Sequence, residues 1–451
     1  MIKKAVWLWL DNFREVKKIS IFFFLLHLSL SALYAQSWHL LANSPAQTFR
    51  HDDLYFINPD TGWVINVNGQ LWKTKDGGNT WTQIIQQASS FRCVGFFDSI
   101  HGCVGNLGPG NWAPTNDTNP FYVTADGGHT LTLPTIIGPK PRGICGMSIV
   151  NDTVIAACGR FDGPSYFGIS TDRGNTWYTK DMRTIAGMLI DTKFISKDTG
   201  FVVGGTDSLE SQSRSLILYT TDGGNTWTTK IIGKAKGNHC WKISHPSKNI
   251  YCVSVEELYQ NDTLKYFKSV DGGNTWTENV IAATKYGWSQ GIGFVTDSIG
   301  WIGGDTRALA TIDAGTTFTQ VPSPLLVNLN RVRFINDTLG YAVGQRVYKY
   351  CKTFPSGVES ALSFAGYSLE QNHPNPFKRT TSIIYSIPIE TKVVIEVFDA
   401  GGRKVKTLVN KIQPQGTYAV EVSLSADGEG IYFCSMLAGL YGKRIKMISI
   451  K

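Results

Sequence analysis

One octapeptide recurs six times along this chain, and it limits the possible folds more than any other feature of the sequence. The first copy is Thr-Lys-Asp-Gly-Gly-Asn-Thr-Trp at residues 74–81, and successive copies lie 42 to 50 residues apart. Repetition at this period is typical of solenoids and propellers. The aspartates of the copies are Asp76, Asp126, Asp172, Asp222, Asp271 and Asp313.

The residue types of the octapeptide predict a tight turn between two antiparallel strands. The Asp carboxylate can accept hydrogen bonds from backbone N–H groups of the turn, and the Gly two positions later tolerates a positive φ. The Trp is expected to pack between neighbouring sheets. We therefore interpret the repeated aspartates as structural. Their spacing does not fit an EF-hand calcium loop, and we predict no metal site.

A second repeated element precedes each octapeptide. It consists of Phe, five residues, Gly and usually an aromatic residue, and it predicts a strand, a polar turn and an apolar strand. Together the two elements give four strands per unit, which is the composition of a propeller blade. Clear copies begin at Phe56, Phe96, Phe194, Phe294 and Phe334, and looser copies lie at 147–154 and 243–250.

The repeats predict an all-β chain with a seven-bladed propeller over residues 36–354; six blades are the alternative. After the last Phe-x5-Gly element the octapeptide is truncated at residues 351–355. Residues 37–41 resemble the strands that follow the octapeptides, so we expect them to supply the missing outer strand. Closure of this kind leaves no unpaired edge between the first and last blades.

The N-terminus has the pattern of a signal peptide over residues 1–35. Five Lys and Arg residues accompany an apolar run at 19–33, and Ala35 ends a plausible cleavage site. A run of about 15 apolar residues is shorter than the roughly 20 that a spanning helix needs. We therefore expect cleavage, with no transmembrane segment in the mature chain.

Charge and cysteine content narrow the function further. The net charge of +8 comes mostly from the two ends, because residues 36–354 hold 27 Lys and Arg against 25 acids. This balance argues against nucleic acid as a partner.

The eight cysteines could form disulfides within repeats, at Cys93/Cys103, Cys145/Cys158 and Cys240/Cys252, or act as small buried side chains; we favour the second interpretation. No C-x-x-C pair occurs, which argues against structural zinc, and we predict no cofactor.

The combined repeat resembles that of the photosystem II assembly-factor propellers and, more loosely, the Asp-box propellers of sialidases and xyloglucan-cleaving enzymes. The octapeptide is identified as an Asp box, or BNR repeat. This resemblance implies fold over residues 37–354 and says little about function, which lies in loops.

The C-terminal residues 367–451, which follow a linker at 355–366, resemble a type IX secretion sorting domain of type A. The resemblance rests on Leu-Glu-Gln-Asn-His-Pro-Asn-Pro-Phe at 369–377 and on the basic end at 443–447. It implies a small Ig-like sandwich that the secretion machinery of a Bacteroidetes-type bacterium recognises. It also implies release from the cell or attachment to its outer surface.

Ligands of propellers generally bind on the face formed by loops between blades and between second and third strands. We expect this face to carry an arginine ring and a long insertion, residues 105–120, that contains Trp112. The predicted role is non-catalytic binding of an unknown protein or glycan. The candidate binding residues are Arg50, Arg92, Arg142, Arg160, Arg307, Arg331 and Trp112, with Asp162, Arg183, Asp207, Arg214 and Arg346 nearby.

A secreted, sialidase-like glycoside hydrolase is the alternative function. Such an enzyme needs two carboxylates about 5–10 Å apart, and Glu256, Glu257 and Asp305 are the acids that we would test. The sialidase Arg-Ile-Pro signature is absent from the sequence, and no pair of acids stands out.

Overall fold

The computed structural model describes residues 37–48, 50–110, 115–258, 263–282, 288–321, 325–351, 367–388, 390–399, 403–424, 429–438 and 441–450. The chain divides into two units, Met1–Ser356 and Gly357–Lys451. Every regular element in the described ranges is a β-strand, as predicted. The predicted signal peptide at 1–35 and linker at 355–366 lie outside the described residues.

The described strands of the first unit form seven sheets. The chain begins with β1 (Ser37–Leu40). Sheet 1 contains β2 (Asp53–Phe56), β3 (Gly62–Asn66), β4 (Gln70–Thr74) and β5 (Thr82–Gln86). Sheet 2 contains β6 (Phe91–Phe96), β7 (Gly102–Asn106) and β8 (Phe121–Thr124). Sheet 3 contains β9 (Thr135–Ile137), β10 (Gly146–Ile149), β11 (Ile155–Gly159), β12 (Tyr166–Ser170) and β13 (Thr176–Asp181). Sheet 4 contains β14 (Met188–Phe194), β15 (Gly200–Gly205), β16 (Ser215–Thr220) and β17 (Thr228–Ile232).

The remaining sheets of this unit follow the same order. Sheet 5 contains β18 (Asn238–Ser247), β19 (Ile250–Glu257), β20 (Thr263–Ser269) and β21 (Thr277–Ala282). Sheet 6 contains β22 (Ser289–Phe294), β23 (Gly300–Gly304), β24 (Ala308–Thr311) and β25 (Thr319–Gln320). Sheet 7 contains β26 (Arg331–Phe334), β27 (Leu339–Val343), β28 (Val347–Cys351) and β1. The innermost strand of each sheet packs against that of the next, and β26 packs against β2, so the sheets form a closed ring around a channel.

The predicted ring closure is confirmed by the pairing of β1. This strand lies antiparallel to β28, with Trp38 opposite Tyr350. The Trp38 ring is 3% exposed and contacts Trp301 edge-on at a centroid distance of 5.5 Å. The first strand of the unit thus completes its last sheet and covers the edge of β28.

The octapeptide turns have the geometry that their residue types predict. In the first copy, Asp76 Oδ1 accepts a hydrogen bond from the backbone N–H of Thr80 at 2.9 Å, and Asp76 Oδ2 accepts from the Thr80 hydroxyl at 2.6 Å. Gly78 has a φ of 92°. In the copy that begins at Thr220, the Trp227 ring lies 5.1 Å from Phe167 of sheet 3 and 6.4 Å from Phe194 of sheet 4. The Trp therefore packs between neighbouring sheets, as expected.

The Phe-x5-Gly element is a cross-strand pair in which the aromatic ring covers the glycine. Phe194 of β14 lies opposite Gly200 of β15, and a Cβ on Gly200 would lie 2.3 Å from the ring of Phe194. The same geometry recurs between Phe56 and Gly62, where the corresponding distance is 2.5 Å. The glycine is required because the ring occupies the space of its side chain.

The prediction of four strands per unit is wrong for sheets 2 and 3. After its octapeptide, sheet 2 continues with a single bridge between Val123 and Thr132. The chain then crosses to sheet 3, where β9 adds in parallel to β13. Pro134 follows Leu133 at this point, and Pro has no N–H with which to continue the ladder of β8.

All eight cysteines lie in described residues, and all are free thiols. The pairing registers explain why two of the candidate pairs do not face each other. Cys93 lies opposite Gly105 rather than Cys103, and Cys240 lies opposite Val255 rather than Cys252. Burial raises the pKa of Cys240 to about 12, so this thiol is unreactive at neutral pH.

The C-terminal unit contains two sheets around its own apolar core. The first contains β29 (Ser368–Leu369), β30 (Thr380–Ile387) and β33 (Gly416–Ser423). The second contains β31 (Thr391–Asp399), β32 (Lys404–Gln413), β34 (Gly430–Ala438) and β35 (Tyr441–Ser449). Side chains of both sheets, among them Ile383 of the first and Ile395 of the second, are fully buried in the core.

Candidate functional site at the channel mouth

A buried ion network closes the channel of the first unit. Arg331 of β26 donates to both oxygens of Asp191 across the channel, at 2.6 and 2.9 Å, and to Asp53 of the neighbouring sheet at 3.0 Å. Arg333 reaches the other oxygen of Asp53 at 3.1 Å. Both carboxylates are fully buried. We call Asp53, Asp191, Arg331, Arg333 and Lys242 the channel plug.

The arginines keep these buried acids ionised. Burial by itself would raise the pKa of Asp53, but Arg331 and Arg333 hold it below its usual value. Burial opposes ionisation of Asp191 as well, and Arg331 followed by Lys242 lowers its pKa. Paired charges at this depth are costly to break, because removal of one partner leaves the other uncompensated.

A second layer of side chains lies above the plug, toward the connections between sheets. Arg92 of β6 is 4% exposed and pairs with Asp52, which precedes β2. Arg50 lies 3.4 Å from the same carboxylate. Burial and then the charge of Arg92 lower the pKa of Arg50 to about 10. Two guanidinium groups therefore share one carboxylate.

Both of these arginines lie over the ring of Trp241. Their guanidinium carbons are 5.8 Å (Arg50) and 5.4 Å (Arg92) from its centroid, within the range of cation–π attraction. The Trp241 indole N–H donates a hydrogen bond to the side-chain oxygen of Asn330 at 2.9 Å. The side-chain amide of Asn330 in turn donates to the backbone oxygen of Asp52 at 2.5 Å. Sheets 1, 2, 5 and 7 thus meet at one tryptophan.

Two further rings complete an aromatic group around Trp241. Phe161, in the connection after β11, lies 5.2 Å from Trp241 and 5.7 Å from His239. His239 Nε2 lies 3.7 Å from the Glu256 carboxylate without a hydrogen bond to it, and this carboxylate accepts a hydrogen bond from Gln290 at 2.8 Å. We call Arg50, Arg92, Phe161, His239 and Trp241 the mouth cluster.

The predicted binding arginines fall into two groups. Arg92, Arg160 and Arg331 are buried and bonded within the protein; Arg160 holds Asp162 and the backbone oxygens of Leu107 and Pro109. Arg50 is 10% exposed, whereas Arg142 and Arg307 are exposed. Trp112 lies outside the described residues. Among the nearby candidates, Arg183, Asp207 and Arg214 are exposed, and Arg346 is half-buried.

The three candidate catalytic acids have different surroundings. Glu256 and Glu257 are adjacent on β19 and are 8% and 7% exposed, so their side chains point to opposite faces of the sheet. Glu257 pairs with Lys265 at 2.5 Å. Asp305 is half-buried in the loop after β23. Burial, with a smaller contribution from the charge of Glu256, raises the pKa of a fourth acid, Glu210.

Sequence reasoning missed most of the plug and the aromatic group. Asp53, Asp191, Lys242, His239 and Trp241 lie on the innermost strands, where the octapeptides and the Phe-x5-Gly elements give no information. One feature of the sequence could have identified them. Charged residues occur within segments that otherwise have the composition of buried strands, such as Met-Leu-Ile-Asp-Thr-Lys-Phe at β14. Buried charges must be paired, so such residues identify a polar interior.

Comparison with known proteins places the C-terminal unit in a family of sorting domains. The model of the secretion system C-terminal sorting domain matches residues 372–451. The chain carries a type IX secretion sorting domain. This domain marks the protein for export, followed by secretion or attachment to the cell surface. In the described residues we find no helix with the length and apolarity required to cross a membrane.

Solved structures show that the described part of the first unit has a β-propeller fold. YCF48 bound to a D1 peptide is 16% identical, covers 71% of this chain and 97% of its own, and has a TM-score of 0.51. The streptogramin B lyase is 10% identical over 70% of this chain and 97% of its own, with a TM-score of 0.52. No curated protein is significantly similar in sequence.

A xyloglucanase of the GH74 class from Xanthomonas campestris has the same fold. It is 11% identical over 77% of this chain, with a TM-score of 0.50, and this chain covers 59% of its length. At this level of identity, the likeness shows a shared fold and nothing of the reaction.

Proposed function

We propose that this exported chain is a non-catalytic binding protein, whose propeller holds a protein or glycan ligand at the face formed by the connections between sheets. In the mouth cluster Arg92, His239 and Trp241 are nearly fully buried, so a ligand would contact the exposed connections around the cluster. The exposed Arg142, between β9 and β10, and Arg307, between β23 and β24, carry the proposal. Trp and Arg are the residue types most enriched at the energetic centres of interfaces.

Further features support a binding site at this face rather than in the channel. The plug fills the channel with side chains that bond one another across it, so a ligand would rest on the mouth. Exposed Arg142 and Arg307 lie in connections on the same face. A propeller of the same fold, YCF48, has been solved with a D1 peptide bound, so the fold is able to present a peptide site.

Binding assays on the mature full chain test this proposal. The wild type would be screened against a glycan array and a displayed peptide library, and each hit would be measured with Arg142→Glu/Arg307→Glu. We expect the double variant to lose about tenfold or more in affinity, as for a substituted anchor. Lys75→Glu, a charge reversal on the exposed octapeptide edge, is the control. An equal loss in the control, or no reproducible hit, would count against the proposal.

A glycoside hydrolase is the second candidate function. The observation that favours it is the pKa of Glu210, which burial and the nearby Glu256 carboxylate raise. A raised pKa suits a general acid, and a second ionised carboxylate is the other requirement of the reaction. The partners of Glu256 and Glu257 and their burial weigh against it.

Hydrolysis of xyloglucan and sialosides by the wild type, Glu210→Gln, Glu256→Gln and Asp305→Asn decides between the two functions. Measurable turnover that falls at least about 100-fold in one of these variants would establish the hydrolase. Turnover that is absent from the wild type, together with binding that all three variants retain, would support the binding protein.

A further inference from the structure

Lys242 has a buried ammonium group without a hydrogen-bond partner among the described residues. The side chain is 1% exposed, and its Nζ atom is unbonded. A register shift between Cys240 and Ile243 of β18 accompanies the placement of Trp241 in the mouth cluster and of Lys242 within the plug. An unpaired ammonium in the protein interior is strongly disfavoured, so this group needs a counter-charge or must lose its proton.

The nearby carboxylates are already occupied by other donors. Asp191 accepts from Arg331 at 2.6 and 2.9 Å and from the backbone N–H of Ile243 at 3.1 Å. Asp53 accepts from Arg331, Arg333 and the backbone N–H of Val94. Both carboxylates thus already accept hydrogen bonds from arginine side chains and from backbone N–H groups.

The surrounding charge is positive on balance. The charged groups that act on Lys242 come from four elements: Asp53 of β2, Arg92 of β6, Asp191 of β14 and Arg331 of β26. The thiols of Cys93 on β6 and Cys158 on β11 face the same group, and burial raises their pKa well above its usual value, so they add no negative charge. Arg333 adds a further cation to these charged groups, and Arg50 and Arg92 share the single carboxylate of Asp52, so the cations outnumber the carboxylates. Arg92 Nε is likewise unbonded. Two buried N–H donors and a surplus of positive charge are therefore left without a partner.

We propose that the channel plug holds a small monovalent anion, a halide such as chloride, between Lys242 and Arg92. A negative charge offsets part of the positive surplus, and a halide accepts N–H donors from several directions at once. A larger oxyanion would extend toward Asp53 and Asp191, which repel it. Lys242 is 1% exposed, and the neighbouring Trp241 packs against the buried side chains of Met188 and Ile190, so the site is shielded from solvent.

The halide and a proton bind together in this arrangement. Burial, and after it the charge of Arg331, lowers the pKa of Lys242 to about 7, whereas a halide beside the ammonium favours its protonated form. Halide affinity is therefore expected to weaken about tenfold per pH unit above that value. A neutral lysine bonded to nothing but water would show no such coupling to halide.

Thermal unfolding of the full chain in chloride or bromide, compared with gluconate at equal ionic strength, tests the site. We expect the midpoint of the propeller unit to rise by about 3–6 °C in millimolar halide and to saturate, more at pH 6 than at pH 9. Lys242→Met should abolish the rise. Lys193→Met removes a half-buried channel lysine two residues from Asp191 and is the matched control; it should retain the rise.

Two outcomes would overturn the proposal. One is an equal midpoint in halide and gluconate. The other is a rise that does not saturate or that Lys193→Met also abolishes, because general screening by salt would explain either. If Lys242→Met fails to fold, crystals of the wild type in bromide decide the question. An anomalous peak beside Lys242 Nζ supports the site, and its absence at saturating bromide rejects it.

Discussion

At the scale of single residues, two octapeptide turns hold a strained backbone. Gly77 has a φ of 68°, and the equivalent positions in later copies are Arg173 at 62° and Ala314 at 63°. A residue with a Cβ pays roughly 1–2 kcal/mol in this conformation, while glycine loses about 0.5–1 kcal/mol more entropy on folding. Ala314→Gly should therefore stabilise the propeller by about 0.5–1 kcal/mol in urea unfolding.

The matched control for this prediction is the same substitution at an ordinary backbone position. Ala88 is exposed and does not belong to the residues with positive φ. Ala88→Gly should destabilise the unit by about 0.5–1 kcal/mol, because only the entropy term remains. A change of the same sign in both variants would show that backbone strain at residue 314 does not control its stability.

The turn aspartates predict a specific response to acid. Although partial burial opposes ionisation, the backbone N–H and the hydroxyl of Thr130 lower the pKa of Asp126 to about 2. A carboxyl group with a depressed native pKa stabilises the fold above its unfolded pKa of about 3.9. This stability is lost as the pH falls through about 2.

Thr130→Val removes the hydroxyl donor and should raise the pKa of Asp126 toward its ordinary value, which carbon-13 NMR of the carboxyl group would measure. The acid unfolding of the propeller should then begin at a higher pH. Thr132→Val alters a hydroxyl that bonds the backbone oxygen of Val123 instead, so Asp126 should titrate as in the wild type. A pKa that is unchanged in Thr130→Val would contradict the assigned cause.

At the scale of elements, the Phe-x5-Gly pair predicts a coupled packing defect. Gly200→Ala would place a methyl group 2.3 Å from the ring of Phe194, and overpacking of this kind costs about 1–3 kcal/mol. In the background of Phe194→Ala the ring is gone, so the added methyl group should cost much less. A double-mutant cycle in urea measures this coupling, and additive effects would show that the ring does not set the requirement for glycine.

The strands were predictable because each is marked by local chemistry. Gly78 and Asp76 specify a turn within a few residues, and Phe194 opposite Gly200 specifies a hairpin. The channel plug was not predictable in the same way. Arg331 bonds Asp53, which lies 278 residues away, and Asp191, which lies 140 away, and a repeat pattern does not contain the contacts that unrepeated residues make across a ring.

The course of one connection also escaped prediction, for a physical reason. The segment after the second octapeptide has the composition of an outer strand, but Pro134 interrupts its hydrogen bonding and β9 joins sheet 3. Trp241 and Lys242 likewise reach the channel region in a strand whose register shifts between Cys240 and Ile243. Such irregularities bring side chains to the channel without leaving a repeated pattern in the sequence.

At the scale of the whole molecule, closure of the ring depends on β1, and Trp38 is its main apolar contact. The ring lies 5.5 Å from both Trp301 and Tyr350 and 6.0 Å from Phe334. Trp38→Ala should lower the free energy of unfolding of the propeller unit by about 3–5 kcal/mol, as for other buried tryptophans. Because the C-terminal unit has a separate core, the urea midpoint of its unfolding transition should equal that of the wild type.

Urea unfolding monitored by circular dichroism and by tryptophan fluorescence would separate the two transitions. Trp81→Ala is the control, because that ring is only partly buried at an octapeptide turn and contacts Phe56 at 6.2 Å; its loss should cost less than that of Trp38. If both variants lose the same free energy of unfolding, the pairing of β1 with β28 contributes no more to stability than an octapeptide turn does. If the larger loss follows Trp38→Ala, the contacts of β1 contribute more to the stability of the propeller unit than the ring of one octapeptide turn does.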